Sequence, residues 1–114
     1  MLNLYGIKNC DTVKKARKWL DAHGVKYTFV DLKQTVPAKA RLQRWSKAVG
    51  WETLLNRRGQ TWRQLDDKQK QDITAARALD LMHEFPMLIK RPVIEDGDQV
   101  LVGFKEADYQ QHFG

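Results

Sequence analysis

A second cysteine is missing from this chain. Cys10 is the only thiol among 114 residues, so no disulfide can close within the molecule and nothing in its covalent framework points to an oxidising, secreted setting. Long apolar runs are missing too. No stretch approaches the roughly eighteen apolar residues of a membrane-crossing helix, and the N-terminal residues lack the basic-then-apolar pattern of a signal peptide. There is no internal repeat and no low-complexity segment. His23, His83 and His112 are scattered without the spacing of metal ligands, so no metal site is expected. The "EDGD" stretch has carboxylates without the pattern of a calcium loop and reads as a turn. These absences lead to the expectation of a cytoplasmic protein that makes no use of a membrane.

What is present specifies a folded domain. With 42% hydrophobic residues, 30% charged residues, four Trp, four Phe and three Tyr, the chain is too apolar and too aromatic for disorder, and 13.3 kDa fits one core. Twenty Lys and Arg against fourteen Asp and Glu give a net charge of +6. That balance suits nucleic acid, an acidic protein or a small anion, and does not choose among them. The basic residues are spread from Lys8 to Lys105, and the densest cluster, "VKKARKW", reads as a solvated helix face. Trp45, Trp51 and Trp62 near Arg57, Arg58 and Arg63 invite a stacking role on bases, but aromatics in a helical segment more often serve as core or cap. Nucleic acid is therefore not an expected partner.

Along the chain, Leu2, Leu4 and Tyr5 form a strand-like run closed by Gly6. From Asp11 the period changes: Val13, Ala16, Leu20 and His23 fall three or four apart, Lys14, Lys15, Arg17 and Lys18 take the other side, and Gly24 stands at a helix stop. "KYTFVDL" reads as a second strand, parallel to the first because a helix intervenes. Pro37 opens a helix through Leu42, Trp45 and Val49 to Gly50, followed by a mixed segment, "WETLLNRRGQTWRQL". A further helix is expected through "KQKQDITAARALDLMHEF", where Ile73, Ala76, Leu79 or Asp80, and Met82 or His83 give the period, and no strand in this middle region. "MLIKRPVIEDGDQVLVGF" then supplies a hairpin around "DGD", and "KEADYQQHF" a closing helix.

A strand, a cysteine at a helix start, a parallel strand, an Arg-Pro entering a hairpin and a last helix make an α/β thioredoxin-like plan with a mixed sheet. The expected organisation is one domain over residues 1–114 with a helical insertion at about 37–85. Over essentially its full length the chain resembles the ArsC/Spx family, and within it the YffB branch. The pieces that carry the resemblance are "LYGIKNCDTVKKARKWL", "LLNRRGQTWRQL" and "LIKRPVIEDGDQVLVGF", in that order and spacing.

A thiol at a helix start meets unpaired backbone N–H groups and the positive end of the helix dipole, which favour the thiolate, the nucleophilic form. The dipole alone is a modest contribution, so neighbouring cations must add to it, and Lys8 and Arg91 are the candidates. The plain alternative for Cys10 is a small buried hydrophobe. Because Thr12 and Val13 occupy the place where the second cysteine of a Cys-x-x-Cys pair would be expected, the protein can neither resolve a mixed disulfide by itself nor switch by forming an internal one.

The resemblance implies an enzyme, a monothiol reductase in which Cys10 is catalytic and glutathione is the co-substrate. It places the oxidised substrate and glutathione against Lys8, Asn9, Asp11, Thr12, Arg57, Arg58, Arg91 and Pro92. The substrate itself is unknown, glutaredoxin is a candidate partner, and the chain is expected to be a monomer. Arsenate reductases of the family carry three arginines around the cysteine. Arg91 in "IKRPVI" matches one, and Pro92 resembles the cis-proline of thioredoxin folds. For the second, an arsenate-reductase alignment lands on Asn56 and the Spx pattern on Arg58, with Arg57 still open. Gly103 stands where the third is expected, which argues against arsenate as the substrate. The reading from another class is a non-enzymatic, Spx-like regulator docking on RNA polymerase.

Overall fold

The computed structural model describes residues 2–114. In chain order its elements are β1 (Leu2–Gly6), α1 (Asp11–Ala22), β2 (Thr28–Asp31), α2 (Lys39–Val49), α3 (Trp51–Leu54), α4 (Gln60–Gln64), α5 (Asp67–Lys70), α6 (Ala75–Glu84), a 3-10 turn (Pro86–Leu88), β3 (Val93–Asp96), β4 (Gln99–Val102) and α7 (Glu106–Phe113). They fall into two compact units: residues 2–31 with Arg91–Gly114, and Leu32–Lys90. Among the described residues, no helix is long and apolar enough to cross a membrane.

The first unit is a four-stranded mixed sheet in the order β2-β1-β3-β4. β1 pairs parallel with β2 and antiparallel with β3, and β3 and β4 form the expected hairpin, closed where Asp96 faces Gln99 across Gly97 and Asp98. Gly97 takes a φ of +60°, the left-handed conformation such a turn needs. The α/β architecture is the one expected from the sequence. Strand alternation sends Leu4 and Ile94 to one face of the sheet, where they meet Val13, Ala16, Trp19 and Leu20 of α1 and Tyr109 of α7 in a single buried cluster. Leu4, Val13, Leu20 and Ile94 each contribute roughly 1.5–3 kcal/mol of burial free energy. Trp19 and Phe104 meet Tyr109 edge to face, with ring centroids 5.5 and 4.9 Å away.

α1 stops at the position that Gly24 marked. The amides of Gly24 and Val25 donate to the carbonyls of Asp21 and Leu20, and Gly24 adopts φ +69°, which together close a Schellman motif.

The second unit is helical. α2 packs against α3 and α6, with Leu42, Trp45, Leu54, Leu81 and Met82 buried. Its later part departs from expectation in two ways. The periodic stretch over residues 68–85 is not one helix: α5 and α6 are separate, with Asp72 between them at φ +48°. Local polar chemistry overrides the period here. Asp66 and Gln69 form a reciprocal capping box at the start of α5, and the Thr74 hydroxyl accepts from the Arg77 amide to start α6 afresh. Ile73 matched the helical spacing but lies in the connection. The region expected to lack strands also contains an isolated antiparallel bridge, Leu55 to Ile89, flanked by hydrogen bonds from Lys90 N to Leu54 O and from Asn56 N to Leu88 O, each 2.7 Å.

Candidate functional site

The loop from Ile7 to Cys10 leaves the C-terminal end of β1, and a close approach lets α1 begin so soon after it. Gly6 is buried against Val13 in the first turn of α1; a Cβ on Gly6 would lie 2.9 Å from one Val13 methyl and 3.0 Å from the other. Only a residue without a side chain admits that contact.

Cys10 is the N-cap residue of α1, with extended backbone at φ −112° and ψ 122°, and its carbonyl accepts the first helical bond from Lys14 N at 2.9 Å. No side chain caps the helix start. The thiol is half-buried, packed against the apolar cluster beneath the sheet, while Lys8, Asn9, Asp11 and Thr12 around it are exposed. Asp11 in the first turn adds a negative charge that opposes the contribution of nearby lysines.

Sheet register brings the second segment to the same end. Tyr5 of β1 is opposite Val93 of β3, so the Arg91–Pro92 step, one residue before that pair, lies at the end of the sheet from which the Cys10 loop departs. The Arg91–Pro92 peptide bond is cis. Pro92 is buried, and its carbonyl accepts from Gly103 N at 2.8 Å. Arg91 is half-buried, with its Nε enclosed. Lys8, Asn9, Cys10, Asp11, Thr12, Arg91 and Pro92 therefore all belong to the first unit and to one end of its sheet.

Arg57 and Arg58 belong to the second unit and are exposed. With Glu52, Leu55 and Lys90 they line a shallow groove of about 440 Å3. The two differ in their surroundings. The Arg57 guanidinium carbon lies 5.5 Å from the ring of Trp51 and 5.8 Å from that of Trp62, an aromatic holding that the sequence pattern did not reveal. Arg58 is anchored through its backbone, its amide donating to Asn56 Oδ1 at 3.1 Å.

Gly103 has a φ of +80°. The position where a third arginine was expected is thus a left-handed turn residue, tied by its amide to Pro92 and by its carbonyl to the Tyr109 hydroxyl. Burial holds that hydroxyl well above the usual tyrosine range, with Asp108 adding to the effect. The histidines sit apart: His23 stacks on Trp19, His83 contacts the Pro37 carbonyl, and His112 pairs with Asp96 at 2.9 Å. Among the described residues, no three His, Cys, Asp or Glu side chains converge as a metal cluster.

Comparison with known proteins gives a consistent setting for this geometry. The sequence model of the ArsC family matches residues 5–112. An uncharacterized protein of Haemophilus influenzae is 42% identical over 113 residues, covering 99% of each chain. Global transcriptional regulator Spx 1 of Lactococcus lactis is 32% identical over 112 residues, spanning 95% of this chain and 85% of its own. The solved structure of a protein described as YFFB is 49% identical and superimposes with a TM-score of 0.97 over the whole of both chains. The thioredoxin-like α/β fold expected from the sequence is the fold of these structures.

Proposed function

Because this chain belongs to the ArsC family, we propose that it is a glutathione-dependent monothiol oxidoreductase of the cytoplasm, with Cys10 as its nucleophile. The observation that supports this reading best is the placement of the sole thiol at an uncapped helix start, at the same end of the sheet as Arg91. A nucleophilic cysteine needs a stabilised thiolate and an approach for its partner, and a helix start contributes to the first.

In the proposed reaction the Cys10 thiolate attacks one sulfur of a substrate disulfide. That S–S bond breaks, its electron pair leaves with the departing thiolate, and Cys10 is held in a mixed disulfide. A glutathione thiolate attacks the Cys10 sulfur, expelling the second product thiolate and leaving Cys10 joined to glutathione. A second glutathione thiolate then attacks the glutathione sulfur, so that glutathione disulfide leaves and the Cys10 thiolate returns. Two glutathiones are oxidised for each disulfide reduced. With Val13 in place of a second cysteine, the external thiol is required. Lys8 and Arg91 serve the thiolate, and Asn9, Asp11, Thr12 and the segment before Pro92 line the approach. Glutaredoxin is an alternative donor for the second half of the cycle.

The test is reduction of a small glutathione mixed disulfide, followed through glutathione reductase, with native protein and with Cys10→Ser. Turnover by the native chain and none by the variant supports the assignment; equal rates sink it. A second reading rests on the likeness to Spx 1, which spans nearly the whole chain: a regulator that docks on RNA polymerase without using its thiol. Co-purification of polymerase with the Cys10→Ser protein, together with absent turnover, would favour it. Reduction of arsenate is a third outcome, opposed by Gly103.

A further inference from the structure

The cationic face of α1 has one member that does not behave as a solvated charge. Lys14, Lys15 and Lys18 are exposed, whereas Arg17 is half-buried on the flank of the helix. Its guanidinium lies over the ring of Phe29, 4.2 Å from the centroid, and its Nε donates to the Tyr27 hydroxyl at 3.1 Å. The stacking fixes the plane of the guanidinium and the hydrogen bond fixes its rotation. Its two terminal nitrogens have no partner among the described residues. Asp21 stands one helical turn further on, at the spacing of an ordinary helix ion pair, yet the two do not pair. Arg17 instead lines an open groove of about 650 Å3, together with Asp21, Lys26, Tyr27 and Phe29.

A planar guanidinium held at its back and side, with its fork open, matches a carboxylate bidentately. Lys26 adds a positive charge within the groove, and Lys14 stands three residues before Arg17, on the same side of the helix. We propose that this groove is a docking site for an acidic peptide segment of a partner protein, one carboxylate seated in the Arg17 fork and its neighbours facing Lys26 and Lys14. Charge complementarity argues for such an occupant on a chain of net charge +6. One feature disfavours nucleic acid: the face of Phe29 that a base would stack on is taken by Arg17 itself. The site makes no use of Cys10 and stands whether or not the thiol is catalytic.

The experiment is a titration of isotope-labelled protein with N-acetylated hexaglutamate, and separately with an oligothymidylate of equal charge, followed by amide chemical shifts. The peptide should move Arg17, Lys26, Tyr27 and Phe29, and added salt should weaken it. Arg17→Gln, which loses the bidentate pair, should bind about tenfold more weakly, and Arg17→Lys should fall with it because charge without the fork is insufficient. Lys26→Glu, at an exposed position that puts no packing at risk, should also weaken binding, while Cys10→Ser should not. The proposal is overturned if millimolar peptide leaves the groove unmoved, if the oligonucleotide acts as strongly there, or if Arg17→Lys and Lys26→Glu bind as the native chain does.

Discussion

The hydroxyl of Tyr109 donates to the carbonyl oxygen of Gly103 at 2.8 Å, tying α7 to the turn that follows β4. Tyr109 is buried, so its neutral form is the one the fold selects and its ionisation lies above the ordinary value of 10.0. A group whose folded value is raised contributes stability that is full below its unfolded value and is lost as pH climbs past it. Native protein should therefore lose stability above about pH 10 more steeply than Tyr109→Phe. At neutral pH the variant should be about 1 kcal/mol less stable, since the ring still packs but the Gly103 carbonyl loses its donor. Urea unfolding of both proteins at neutral and alkaline pH measures the two effects.

Gly6→Ala should destabilise by about 1–3 kcal/mol, because the new methyl collides with both methyls of the stiff, β-branched Val13. Val13→Ala in the same chain should recover part of the loss. A double-mutant cycle in urea with a coupling near zero would show that the contact does not set the spacing of β1 and α1.

Cys10→Ser should abolish any adduct with glutathione disulfide, read by intact-protein mass, without harming the fold. Serine is a favoured N-cap, and Cys10 makes no side-chain cap of its own, so a new cap offsets the lost sulfur contacts. The expected change in stability is within about 1 kcal/mol of zero. A collapse of the fold would mean that Cys10 is chiefly a core residue.

Arsenate should be a poor substrate even with glutathione and glutaredoxin supplied, because Gly103 offers no side chain at the position where the resemblance to the arsenate reductases led to the expectation of an arginine. Restoring one by Gly103→Arg meets a backbone obstacle rather than a steric one. A Cβ at Gly103 has no neighbour within 4 Å, but φ +80° costs an L-residue roughly 1–2 kcal/mol. The variant should melt earlier than the native chain. Efficient arsenate turnover by the unmodified protein would refute the argument.

Much of the first unit was legible because each of its signals is local. Apolar spacing marked α1, Gly24 marked its stop, "DGD" marked the hairpin, and Cys10 fell at the helix start that Asp11 and Val13 announced. The break between α5 and α6 was not, since Ile73 and Ala76 keep a helical period across a connection decided by side-chain caps. Asp66 with Gln69, and Thr74, were the available signals, and they compete with periodicity on nearly equal terms. The different surroundings of Arg17 and Arg57 were out of reach for another reason. Both depend on aromatic residues elsewhere in the chain, Phe29 for one and Trp51 and Trp62 for the other, and side-chain stacking has no one-dimensional signature.

β1 is an inner strand whose antiparallel neighbour, β3, lies on the far side of the whole Leu32–Lys90 segment. As the chain leaves the ribosome, β1, α1 and β2 emerge ahead of the whole Leu32–Lys90 segment, and Ile94 and Tyr109, which complete their buried cluster, emerge only after it. While that segment is being made, Leu4 and Trp19 therefore lack two of the residues that complete their cluster. The helical segment is continuous in sequence and can close on local contacts as soon as Lys90 is free. The helical segment is in a position to finish folding before the β1, α1 and β2 segment that precedes it, and that earlier segment is the portion that a chaperone would have to shield.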